Sequence, residues 1–153
     1  MNPVIATMLL SGILFYGGFK MKQKKIKVLM VEPGKHPVET ELDNTLDSLQ
    51  KAVSIGTDYQ GLIELIPVEP VESGALILAN EEGKLNGMEG NRKFGYDILC
   101  GVFYVCSEDD EGNLASLSEE NMAKYKSRFW HPEFYTDEDV QRSVYYKVKE
   151  WNE

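Results

Sequence analysis

The sequence predicts an α+β domain: a mainly antiparallel sheet of about five strands, one helix after the first hairpin and two C-terminal helices. Three observations carry this expectation. Short apolar or alternating runs at 25–31, 38–42, 62–68, 75–80 and 97–106 are bounded by proline, glycine and Asn-Gly turn signals. Leu42, Leu46, Leu49 and Val53 recur at helical spacing between the second and third runs. Two further helical stripes, Met122/Tyr125/Phe129 and Val140/Val144/Val148/Trp151, close the chain.

Residues 25–31 alternate and are rich in aliphatic side chains, and Glu32-Pro33-Gly34 is a turn signature that returns the chain as 38–42. A helix over 45–53 takes Asn44 as its cap, and Gly56 ends it. Pro67 and Pro70 keep the end of the 62–68 strand out of a central ladder. Residues 75–80 run into Glu81-Glu82-Gly83 and then Asn86-Gly87, a pair suited to positive φ. The run 97–106 is apolar on both faces and reads as one central strand. An acidic loop, 108–113, follows it. Ser118 caps the next helix, His131-Pro132 stops it, and Thr136 caps the last, with Asp137, Glu138 and Asp139 at its positive end. The organisation is thus an apolar segment at 1–20, an α+β domain at 21–133 and a C-terminal helix at 134–153.

Composition narrows the function classes. A chain of 153 residues is long enough to bury one core. The formal charge of −9 repels phosphate backbones and argues against nucleic-acid binding. Cys100 and Cys106, six residues apart on one extended strand, would lie about 20 Å apart and on the same face as Val102 and Tyr104. They read as buried free thiols of a reducing, cytoplasmic compartment.

Residues 3–19 are almost wholly apolar, and Lys20, Lys22, Lys24, Lys25 and Lys27 follow. A secretory signal carries its charge before the apolar run, and a membrane span of this length is at the lower limit. Either a membrane anchor with the domain in the cytosol or translation from Met21 fits. In the second case Gly17-Gly18 is a translated ribosome-binding site. A membrane is a partner only if 1–20 is an anchor. Intact mass of the native protein separates the two.

The strings VLMVEPGKHP, LDSLQKAV, ANEEGKLNG and YDILCGVFYVC, spread from about Lys25 to Glu133, resemble domain-of-unknown-function family 3846. The most specific piece is residues 80–91. The resemblance implies a cytosolic accessory protein of a phage or mobile element of Gram-positive bacteria, with no catalytic motif to carry over. The apolar N-terminus and the final helix depart from the family's short form.

No constellation points to catalysis, and no metal or cofactor is expected. His36 and His131 stand alone beside prolines. The 107–118 stretch misses a calcium loop, because serines stand at its first and twelfth positions. The glycines Gly83, Gly87 and Gly90 form no phosphate-binding fingerprint. Asn80, Lys84, Asn86, Gly87, Asn91 and Arg92 nevertheless gather amides and cations in one loop, a candidate site for an anionic, nucleotide-like small ligand. Tyr145, Tyr146 and Trp151 give the last helix aromatic area for a partner protein. Two functions follow: a non-enzymatic binding or accessory protein acting on a host protein, or a binder of a small anionic molecule.

Overall fold

The computed structural model describes residues 23–68 and 73–152, with side chains described as far as Val144. Residues 1–20, Pro70, and the side chains of Tyr145, Tyr146, Val148 and Trp151 lie outside the described residues.

The chain forms an α+β fold. The strands are β1 (Lys25–Val31), β2 (Val38–Asp43), β3 (Ile63–Pro67), β4 (Ala75–Asn80), β5 (Gly90–Phe94), β6 (Asp97–Cys100), β7 (Phe103–Glu108) and β8 (Leu114–Ala115). The helices are α1 (Leu46–Val53) after the first hairpin, and α2 (Glu119–Arg128) and α3 (Asp137–Asn152) at the C-terminus. The main sheet runs in the order β2-β1-β7-β4-β3, with β8 paired to β7, and every pairing is antiparallel. Pro67 falls at the end of β3 on the sheet's edge, where a missing N–H costs no ladder bond.

Alternation of side chains across the pleat gives the sheet two buried faces. Ile26, Val28, Leu76, Leu78, Tyr104 and Cys106 face α1, whose Leu49, Ala52 and Val53 cover them. Leu29, Val31, Ile77, Val105 and Phe103 face α2, whose stripe is Met122, Tyr125 and, at its cap, Phe129. The Tyr104 hydroxyl reaches across the first layer to donate to the Ala52 carbonyl at 3.0 Å.

The 97–106 run is two strands, not one. Gly101 adopts φ +77 and turns the chain between β6 and β7. β6 leaves the sheet and pairs with β5 as a separate hairpin, packed through Leu99 and Phe94 on the α2 side. Cys100 therefore belongs to a small cluster with Met88, Ile98 and Val140, while Cys106 sits in the α1-side core. The expected shared face for the two thiols is overturned by that glycine.

Caps also differ in one place. Thr45, not Asn44, caps α1, accepting from the Ser48 amide at 3.2 Å. Asn44 is buried and donates to the carbonyls of Gln23 and Leu114, tying two strand ends together. Ser118 accepts from the Asn121 amide as a cap should. Thr136 and Asp139 bond each other's amides reciprocally at 3.1 and 2.9 Å, a capping box at the start of α3. Among the described residues, no helix is long and apolar enough to cross a membrane.

Candidate functional site

The turn after β4 shapes the site. Asn80, at the end of β4, donates to the Val53 carbonyl and accepts from the Glu82 amide. Gly83, Asn86, Gly87 and Met88 donate their amides to carbonyls of the same 80–84 stretch. The turn thus coils on itself, with the amides of Glu81, Glu82, Gly83, Asn86, Gly87 and Met88 occupied. Gly87 takes φ +68, whereas Asn86 does not use the left-handed region. Gly83 passes so close to β6 that a Cβ would stand 2.9 Å from the Cys100 carbonyl oxygen.

Between this turn, the end of β4 and β6 lies a recess of about 250 Å³. Glu64, Ala79 and Asn80 form its floor, Gly83, Lys84 and Leu85 one wall, and Asp97, Ile98, Leu99 and Cys100 the other. Val144 of α3 closes one side. Its volume lies a little below the usual range of ligand sites, about 300 to 1,000 Å³, and suits only a small molecule. Lys84 and Asp97 form an ion pair across it, both mostly shielded from solvent. Glu81 stands at the rim and Leu85 is 87 % exposed there. Burial pushes the Cys100 thiol up to about 11, against a smaller opposing pull from Lys84, so it stays protonated and weakly nucleophilic at neutral pH.

The six loop residues chosen from sequence do not share one cavity. Asn80 and Lys84 line the recess. Asn86 lines a shallow cleft with Thr57, Asp58 and Tyr59, and Gly87 another with Glu32, Pro33 and Ile55. Asn91 and Arg92 are fully buried. Asn91 donates to the carbonyls of Val31 and Gly101 at 2.9 and 2.8 Å. Arg92 donates to Asn91 Oδ1, to the Lys35 carbonyl and twice to the Phe129 carbonyl. Burial lowers its pKa, opposed by the field of the Glu133 carboxylate. Its guanidinium joins the β1–β2 turn, the β5–β6 hairpin and the end of α2.

Sequence reading passed over Glu64, Asp97 and Leu85, because each looked like an ordinary strand or turn residue. Only the fold brings β3, the turn and β6 together. It also passed over a second cleft of about 300 Å³, lined by Lys93, Tyr96, Phe134, Tyr135, Asp139 and Arg142. Tyr96 and Phe134 are 78 % and 79 % exposed on its two sides. A Glu133 oxygen accepts from the Lys93 amide at 3.0 Å and from the Tyr135 hydroxyl, holding this segment against β5. Burial and that carboxylate push Tyr135 up to about 12.

A family model described as a domain of unknown function, DUF3846, matches residues 26–130, well over half of the chain. The chain belongs to this family. No curated protein and no solved structure matches it. The DUF3846 match covers the whole sheet from Ile26 onward, the β5–β6 hairpin, α1 and α2. The family portion therefore supplies the floor and both walls of the recess, and α3, beyond the match, supplies Val144.

Proposed function

We propose that this DUF3846 protein is a non-enzymatic, small-molecule-binding protein, and that its ligand occupies the recess between β4, the 81–89 turn and β6. The observation that carries the reading is the recess itself. It is concave, walled by apolar side chains, and provided with a few converging polar groups. The electrostatics favour a neutral or cationic ligand over the nucleotide-like anion expected from sequence. Lys84 is already paired with Asp97, and Arg92 is turned into the core. The setting in a phage or mobile element, implied by the family resemblance, and a cytoplasmic location belong to this proposal.

Amide NMR of the protein titrated with a library of small fragments tests the reading. Shifts clustered on residues 83–85 and 97–100 support it. Shifts absent there, whatever happens elsewhere, contradict it.

A second reading, action on a host protein, is favoured by Tyr96 and Phe134. Two large aromatic rings standing in solvent either side of a cleft have the character of interface anchors. Loss of a partner in the Tyr96→Ala/Phe134→Ala double variant, with the recess untouched, supports that reading.

A further inference from the structure

We infer that β2 is a docking edge for an extended basic segment of another protein, one in which lysine or arginine alternates with apolar residues. This surface is separate from the recess and does not depend on it. β2 stands at the end of the main sheet, and among the described residues only β1 pairs with it. The register fixes which of its backbone groups stay open. Asn44 donates its amide to the Lys24 carbonyl, one residue beyond the β1–β2 ladder, and hydrogen-bonded pairs alternate along an antiparallel ladder. Thr40 and Leu42 therefore bond to β1, while Glu39, Glu41 and Asp43 aim their N–H and C=O groups outward. β1 agrees with this phase: Lys27, opposite Glu41, donates its amide to the Ser116 hydroxyl and accepts from the Leu117 amide, on the side away from β2.

Open strand edges are commonly blunted by a lysine, a proline or a bulge within the strand. β2 has none of these between Val38 and Asp43, and its register against β1 is unbroken. Its only guard is charge of a single sign. Glu39, Glu41 and Asp43 are exposed on one face of the pleat, with Val38, Thr40 and Leu42 on the other. A second copy laid antiparallel on this edge about Glu41 would set glutamate against glutamate, which is destabilising. A basic strand meets the opposite condition, and the chain's own β1 shows the fit. Lys25 and Lys27 stand opposite Asp43 and Glu41, with Ile26 between them opposite Leu42. The Lys25–Asp43 and Lys126–Glu39 pairs, at 3.8 and 3.5 Å, are exposed and hold these carboxylates only weakly against an incoming cation. Main-chain bonds to the three open residues would supply affinity, and the alternating charge would supply selectivity.

The test is titration of the full chain with a capped peptide of alternating lysine and valine, followed through the amides of Glu39, Glu41 and Asp43. In the free chain these amides are expected to exchange quickly. In the complex they are expected to shift and to exchange about tenfold more slowly, because each gains a partner. Paired residues share a face of the pleat, so the peptide's lysine amides are the ones that reach β2. N-methylation of its lysine amides is expected to abolish binding, and N-methylation of its valine amides to leave it intact. Glu41→Lys, on an exposed side chain, is expected to weaken the peptide about tenfold, and a glutamate–valine analogue is expected not to bind the parent. Equal binding by the two methylated peptides, or no shift of the three amides with any peptide, overturns the edge as a docking site. Equal binding of the glutamate analogue, or Glu41→Lys without effect, overturns the basic class of the partner. Slow exchange of the three amides in the free chain overturns the proposal too, because the edge is then covered without a partner.

Discussion

Arg92 donates two hydrogen bonds to the carbonyl oxygen of Phe129, from Nε at 3.1 Å and from Nη2 at 2.9 Å. That carbonyl lies at the C-terminal end of α2, where four backbone acceptors lack helical partners and a cation is favoured. The same guanidinium reaches the Lys35 carbonyl at 2.7 Å and Asn91 Oδ1 at 2.8 Å. One side chain therefore holds the hairpin that forms the recess's wall in a fixed relation to sheet and helix.

Arg92→Lys is expected to destabilise the protein by about 3 kcal/mol, because an ammonium cannot span these separated acceptors and leaves buried carbonyls unpaired. Urea unfolding measures this. A loss below about 1 kcal/mol would show that the junction relaxes around a lysine.

Gly101 and Gly87 separate backbone conformation from packing. Both have positive φ, +77 and +68. A Cβ at Gly101 would stand 2.7 Å from Met88 Sδ, whereas at Gly87 nothing lies within 4 Å. Gly87→Ala is expected to cost about 1 kcal/mol, and Gly101→Ala about 2 or more, since Met88 must move as well. Equal costs in thermal or urea unfolding would mean that Met88 yields freely.

Alkaline pH is expected to weaken the fold. Burial pushes Cys106 and Tyr104 up to about 12 and Cys100 up to about 11, from ordinary values of 9.0, 10.0 and 9.0. A folded pKa above the unfolded one means that the neutral group is favoured in the fold. Its contribution is fully present below the unfolded value and is lost as pH rises through the folded one. Stability should therefore fall between 9.0 and about 12, and Cys106→Ala should flatten the slope in that window. A thiol-labelling reagent at neutral pH should react with neither cysteine until the chain unfolds.

Much of the fold was legible because periodicity reports burial. Leu49 and Val53, Met122 and Tyr125, and the alternation of 25–31 each landed on the faces their spacing indicated. The break at Gly101 was not legible. Val102 and Phe103 continue the apolar run without a polar residue, and one glycine in a strand signals a bulge as readily as a turn. Asn44 misled for a related reason: asparagine is a good cap, but Thr45 stands beside it and the Asn44 amide found two carbonyls brought near by folding. The candidate site was half legible. Asn80 and Lys84 were marked by their turn, whereas Asn91 and Arg92, polar in sequence, are pinned into the core by partners as distant as Val31, Lys35 and Phe129.

Tyr96→Ala/Phe134→Ala should leave stability within about 0.5 kcal/mol of the parent, because both rings stand in solvent. Pull-down by the parent but not by this variant supports the protein-partner reading. A large loss of stability would show instead that the rings pack on the cleft.

Native mass spectrometry of the full chain, isolated unheated from the cells that make it, tests the small-molecule reading most directly. The account predicts an added mass of roughly 100–300 Da that is lost on heating and in Val144→Trp, where the larger side chain fills the recess. The bare protein mass alone, or an adduct that Val144→Trp retains, would contradict it.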